Sequence, residues 1–148
     1  MKTSIRQGVF ETNSSSVHSC SICTEDTYKK FNDGELWIRQ QWNDEDEYLP
    51  VDEAIDKNIE YFKKELEDVS EKDWSKFKEV YKETKSNWEA FNAIGEDWDE
   101  LKYNDLDYDE YFMSVDDYWS IHEYEDWSKK FKDANGTPMI AWGYVGHD

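Results

Sequence analysis

Residues 51–92 read VDEAIDKNIEYFKKELEDVSEKDWSKFKEVYKETKSNWEAFN, and their periodicity decides the fold class. Val51, Ala54, Ile55, Ile59, Phe62, Leu66 and Val69 recur at the roughly 3.6-residue period of a helix with one apolar face. Ser70 then interrupts the pattern. A serine at that point can cap a new helix, with Asp73 three residues on. Trp74, Phe77, Tyr81, Trp88 and Phe91 continue as an aromatic stripe to about Asn92. Two amphipathic helices joined at Ser70, antiparallel or bent, are therefore expected. Pro50 stands just before the first, which suits a helix start. Pairs such as Glu60–Lys64 and Asp68–Lys72 lie four apart and mark a solvated outer face.

Before this region, residues 17–23 (VHSCSIC) read as a short strand. Thr24 looks like a helix N-cap, with Glu25 and Asp26 in a first turn whose dipole favours acid. Tyr28 and Phe31 share a face, and Asn32-Asp33-Gly34 ends the helix. Residues 35–42 (ELWIRQQW) alternate as a second strand, with Leu36 and Ile38 on one face and Trp37 and Arg39 on the other. Such a β-α-β unit implies parallel strands. Residues 43–47 form an acidic loop. After residue 92, Gly95 closes the helical region. Residues 108–121 read as a strand or as short helical turns opened by Ser114, and Tyr124, Trp127 and Phe131 as a short helix. Asp133-Ala134-Asn135-Gly136 is a turn. Residues 137–145 (TPMIAWGYV) are apolar and nearly uncharged, which fits a well-covered strand with Pro138 at its start. The expected fold class is α+β: one domain over residues 1–148, with a small sheet packed against two amphipathic helices and an acidic-aromatic surface.

Charge sets the functional class. The 148 residues carry a formal net charge of −19. High charge with low hydrophobicity is the signature of disorder. The aromatic content of 17% opposes it. Packed aromatic side chains bury about 150–250 Å² each and can drive folding where aliphatics are sparse. Nucleic acid and anionic membrane are bound through Lys and Arg, so both would repel this chain. A cationic groove on another protein would attract it. No apolar run resembles a signal peptide or the roughly 20-residue stretch of a membrane span. Cys20 and Cys23 are the only cysteines, read as free thiols in a reducing cytoplasm.

Residues 96–127 (EDWDELKYNDLDYDEYFMSVDDYWSIHEYEDW) interleave acids with aromatics, and Lys102 is their only lysine or arginine. A solubilising tail would carry the charges without the aromatics. Aromatic anchors can hold carboxylates at fixed positions. Duplex DNA carries one charge per about 1.7 Å of axis, and a rigid acidic surface can imitate that field. Asp97, Asp99, Glu100, Asp105, Asp107, Asp109, Glu110, Asp116 and Asp117 are the candidate contacts with a basic nucleic-acid-binding groove. Trp98 and Trp119, with Tyr108 and Tyr111, are expected to hold them in place or to anchor the partner.

Other chemistries fit less well. Ser14, Ser15, Ser16 and Ser19 lie near His18, but no G-x-S-x-G elbow is present, and on a strand Ser19 and His18 point to opposite faces. One C-x-x-C pair, Cys20 and Cys23, falls short of a structural zinc site. Asp105-x-Asp107-x-Asp109 resembles the start of a calcium loop. Glu110 stands where such a loop needs Gly, and Asp116 where it needs Glu. No metal or cofactor is expected. Arg6, Gly8 and Ser14–Ser16 could form an anion site of amides and hydroxyls. A ligand or small-enzyme site built from Arg6, Glu11, Asn13, Ser14, Ser15, Ser16 and His18 is the alternative reading.

The segment Arg6-Gln7-Gly8-Val9-Phe10-Glu11-Thr12-Asn13-Ser14-Ser15-Ser16-Val17-His18-Ser19 resembles the opening R-x-G-V-F-E-T-N-S-S-S-x-H-S of small proteins from bacteriophages and bacteria with phage-like genes. The ending Gly143-Tyr144-Val145-Gly146-His147-Asp148 is similar to glycine-aromatic endings in that group. The resemblance implies a setting, a phage or mobile-element protein in a bacterial cytoplasm. It transfers no catalytic residue, because the group has no assigned activity. Small acidic proteins in that setting are often inhibitors of host nucleases, restriction systems or CRISPR effectors.

Overall fold

The computed structural model describes residues 10–12, 16–40, 46–121 and 125–147, with backbone alone for 10–12, 16–18 and 147. It is a mixed α+β structure of six α-helices and two small antiparallel sheets among the described residues. Contacts divide the chain into two compact units: Met1–Tyr48 with Met113–Asp148, and Leu49–Phe112.

The first unit is built on a five-stranded sheet. β1 (Phe10–Thr12), β2 (Ser16–His18) and β3 (Ser21–Thr24) come early in the chain, and β6 (Glu125–Lys132) and β7 (Pro138–His147) come late. β7 is the central strand. It pairs antiparallel with β2 and β3 on one side and with β6 on the other. The expected turn at residues 133–136 closes the β6–β7 hairpin. Asp133 Oδ1 accepts from the N–H groups of Asn135 and Thr137 at 2.8 and 2.9 Å, and Gly136 takes φ 82°. Between β2 and β3, Ser19 replaces an ordinary ladder residue. Its N–H donates to the Tyr144 carbonyl at 2.9 Å, but Tyr144 N–H donates to the Ser19 hydroxyl at 3.0 Å. The Ser19 carbonyl is thereby released to the Trp127 indole, which donates to it at 3.1 Å. This approach needs a glycine opposite, and Gly143 supplies it.

Thr24 caps α1 (Glu25–Asn32), accepting from Thr27 N–H at 3.1 Å. Phe31 of this helix is fully buried, with its ring 5.5 Å from Trp142 and 6.0 Å from Tyr118. β4 (Leu36–Arg39) pairs with β5 (Glu47–Pro50) in a separate two-stranded sheet, where Arg39 meets Glu47. α6 (Val115–Ile121) carries Tyr118 into the same aromatic core.

The second unit is helical. α2 (Val51–Glu65) starts at Pro50, and α3 (Glu71–Thr84) at Ser70, whose hydroxyl accepts from Asp73 N–H at 3.1 Å as expected. α4 (Asn87–Ala93) and the single-turn α5 (Trp98–Glu100) follow. A π-helical turn, Leu101–Asp105, completes the unit's helices. Phe62 is the hub of its core, with ring centroids 6.0 Å from Phe77, 5.2 Å from Phe91, 6.2 Å from Trp98 and 5.7 Å from Tyr111. Asn58, fully buried, pairs with Phe112 as a strand would. Its amide donates to the Phe112 carbonyl at 2.9 Å and accepts from the Phe112 N–H at 2.6 Å.

Four expectations are corrected. The β-α-β unit is not parallel: β3 and β4 lie in different sheets, and every described ladder is antiparallel. An eight-residue helix is short for a parallel crossover, which takes a dozen or more residues. Residues 17–23 are two strands, interrupted at Ser19 and Cys20. Trp127 and Phe131 lie on β6, not on a helix. Their four-residue spacing imitates a helix face, but the Asn-Gly turn that follows favours a hairpin with β7. The stripe from Trp74 to Phe91 spans two helices, because Lys85 takes a left-handed φ of 55° and Ser86 starts a new cap on Glu89 N–H. Trp88 consequently turns outward and is 51% exposed.

Candidate acidic interface

Residues 96–112 hold eight carboxylates and one lysine, Lys102, whereas residues 49–95 of the same unit hold twelve against eight. The acidic excess of the second unit is thus concentrated in its last short stretch. Apolar side chains fix this ribbon from below. Trp98, Leu101, Leu106, Tyr111 and Phe112 are all buried. Trp98 stacks on Phe91 at 5.3 Å with the rings 7° from parallel, and meets Tyr111 edge-on at 5.7 Å. The acids between these anchors face solvent: Asp97, Asp99, Glu100, Asp105, Asp107 and Glu110 are exposed and Asp109 is half-buried.

Local hydrogen bonds fix two of the carboxylates. Asp97 Oδ1 accepts from Asp99 N–H at 3.0 Å, and Asp107 Oδ1 accepts from Asp109 N–H at 3.0 Å. These short side-chain-to-backbone bonds set the turns and hold each acid in one direction. Asp107 N–H donates to the Tyr61 hydroxyl at 2.9 Å, tying the ribbon to α2. Burial pushes the Tyr61 hydroxyl pKa up, and the charges of Glu65, Asp107 and Glu110 push it the same way, against the lowering effect of the Asp107 backbone bond. Lys102 is neutralised locally, with Nζ 3.3 Å from Asp99 and 5.1 Å from the centre of the Tyr103 ring.

The eight predicted contacts Asp97, Trp98, Asp99, Glu100, Asp105, Asp107, Asp109 and Glu110 all fall in this ribbon. Asp116, Asp117 and Trp119 belong to the other unit. There Asp116 and Asp117 form the first turn of α6, where the helix dipole favours acid, and Asp117 N–H donates to the Ser114 hydroxyl at 3.1 Å. Trp119 packs on Tyr118 at 4.9 Å. Trp98 and Tyr111 are buried, so of the two roles expected for the aromatics they take that of holding the acids in place. The large aromatics exposed in this unit are Tyr103, 71% exposed, and Tyr108, 37% exposed, together with Trp88. Tyr103 and Trp88 were not singled out as contacts. Each stands three residues before a core residue, Leu106 and Phe91, a spacing that gives no sign of exposure; the exposure follows from the π-turn and the break at Lys85.

Of the alternative ligand site, Arg6, Asn13, Ser14 and Ser15 lie outside the described residues. Glu11 pairs with Val17 across β1 and β2, Ser16 with His147, and His18 with Val145. A cavity of about 280 Å³ in this unit is lined by Ile22, Cys23, Tyr48, Thr137 and Met139 among others. Cys23 is buried and Cys20 half-buried, and burial pushes both thiols up, with the Asp46 charge adding to it. Among the described residues no group of three or more His, Cys, Asp or Glu could hold a metal ion, and no helix is long and apolar enough to cross a membrane. Comparison with family models, with curated protein sequences and with solved structures finds no match.

Proposed function

We propose that the chain is an acidic inhibitor whose ribbon at residues 96–112 occupies the basic nucleic-acid-binding groove of another protein. The observation that carries this reading is the pinning of exposed carboxylates by buried aromatics. A flexible acidic tail would have to be ordered on binding, at an entropic cost. A ribbon already folded onto Phe62 and Phe91 avoids much of that cost. Its carboxylates would draw in a cationic groove and speed association, as phosphates do for a DNA-binding protein. Tyr103 and Tyr108 add exposed aromatic area of the kind that anchors interfaces. The resemblance of residues 6–19 to phage-borne proteins makes a host defence protein, a restriction or CRISPR nuclease in a bacterial cytoplasm, the natural target.

The test is capture from bacterial lysate on the immobilised protein, with stepped salt elution and competition by duplex DNA. A nuclease or other DNA-binding protein that salt releases and duplex displaces supports the reading. Retention of no such protein, or of one that duplex leaves bound, overturns it. Asp107 is unsuitable for reversal because it holds a turn. The triple variant Glu100→Lys, Asp105→Lys and Glu110→Lys is expected to slow association by about tenfold or more and to flatten its salt dependence.

A further inference from the structure

We propose that β6 is a self-association surface, along which two copies pair edge to edge and antiparallel about a two-fold axis through Ser128. β6 is eight residues long, and among the described residues its only ladder partner is β7. Of its side chains Trp127 is half-buried and the other seven are exposed. A strand of that length with an open edge presents a row of peptide groups ready to pair.

The hairpin sets which groups face outward. Asp133 N–H donates to the Thr137 carbonyl at 3.1 Å. Hydrogen-bonded and non-hydrogen-bonded pairs alternate along an antiparallel ladder. Lys132 and its partner Pro138 therefore form a non-hydrogen-bonded pair, which suits a proline that has no N–H. By the same alternation Asp126, Ser128, Lys130 and Lys132 turn their peptide groups to the open edge.

Charge then selects the register. Residues 125–132 read EDWSKKFK, acidic at one end and basic at the other. A two-fold axis through Ser128 places Asp126 opposite Lys130 of the second copy, twice, with Ser128 facing itself. An axis through Lys129 or Lys130 would set a lysine against its own copy. Lys130 already reaches Glu25 at 3.4 Å, through a side chain 73% exposed, and such a surface pair exchanges easily. Lysines on an edge strand commonly block pairing. Here the Ser128 register sets no lysine opposite another. In a chain of net charge −19, β6 carries three lysines against two acids, so this edge does not share the acidic excess that keeps two copies apart.

Sedimentation equilibrium of the intact protein, as a concentration series in moderate and high salt, tests this. The mass is expected to climb from 17.8 kDa toward twice that value as concentration rises, and to do so at lower concentration in the higher salt, because screening relieves the repulsion of two acidic copies. Ser128→Pro removes the outward N–H at the axis, a change an edge strand tolerates. It is expected to stay monomeric with an unchanged circular dichroism spectrum. Asp126→Lys should weaken the dimer about tenfold, since each copy loses a pair, and adding Lys130→Asp should restore it. The charge swap decides the matter even where the proline variant misfolds. A wild-type monomer at every concentration, or a dimer indifferent to the swap, overturns the proposal.

Discussion

Replacing Gly143 by alanine probes the closest backbone approach in the five-stranded sheet. A Cβ built on Gly143 would lie 2.7 Å from Ser19 Oγ, 2.8 Å from the Ser19 carbonyl carbon and closer still to its oxygen. Two of these three atoms are backbone and cannot rotate away. Ser19 must therefore shift, and three hydrogen bonds shift with it: Ser19 N–H to Tyr144, Tyr144 N–H to the Ser19 hydroxyl, and Trp127 to the Ser19 carbonyl. Overpacking of this kind costs roughly 1–3 kcal/mol, and each weakened bond adds up to about 1 kcal/mol. The expected loss is about 4 kcal/mol, a lowering of the melting temperature by about 10 °C. Urea denaturation followed by tryptophan fluorescence measures it. Ser19→Gly in the same background removes the hydroxyl but leaves the carbonyl oxygen, so most of the penalty should survive. A Gly143→Ala protein within about 1 kcal/mol of wild type would refute the account of the Ser19 break.

Two further outcomes follow from buried polar groups. Asn58→Leu should destabilise the helical unit by about 3 kcal/mol or more in a denaturant titration, since it leaves both peptide groups of Phe112 buried without their amide partner. Burial raises the hydroxyl pKa of Tyr48 and Tyr118 above the ordinary value of 10.0. Above that pH the unfolded chain loses these protons while the folded one keeps them. Their contribution to stability is full below pH 10.0 and is lost as the pH rises toward the folded values. Alkaline titration should show a late, cooperative step in tyrosinate absorbance that coincides with loss of the near-ultraviolet dichroism. A step complete while the fold persists would contradict it.

Much of the local structure is legible in the chain. Thr24 and Ser70 carry their caps in side-chain chemistry that acts over three residues, so sequence alone places the starts of α1 and α3. The apolar period from Val51 to Phe62 and the uncharged run of β7 declare burial because burial has to remove apolar area from water. The acidic-aromatic ribbon was legible as a display of carboxylates, since buried anchors and exposed acids must alternate for one stretch to do both. What sequence could not decide rests on partners distant in the chain. Trp127 and Phe131 fit a helix as well as a strand until β7 is present to pair with them. Two aromatics in one ribbon, Trp98 and Tyr103, are chemically alike, yet one is stacked on Phe91 and the other stands in solvent. The π-turn and the packing around Phe62 make that choice. Asp97–Glu110 and Asp116–Asp117 read as one continuous acidic stretch, but the fold assigns them to different units, because contiguity in sequence carries no information about which core a side chain joins. Composition and short-range hydrogen bonding thus determined the charge, the caps and the class of fold. Strand pairing, aromatic exposure and the limits of the acidic ribbon were decided by tertiary contacts, whose energies depend on residues tens of positions away.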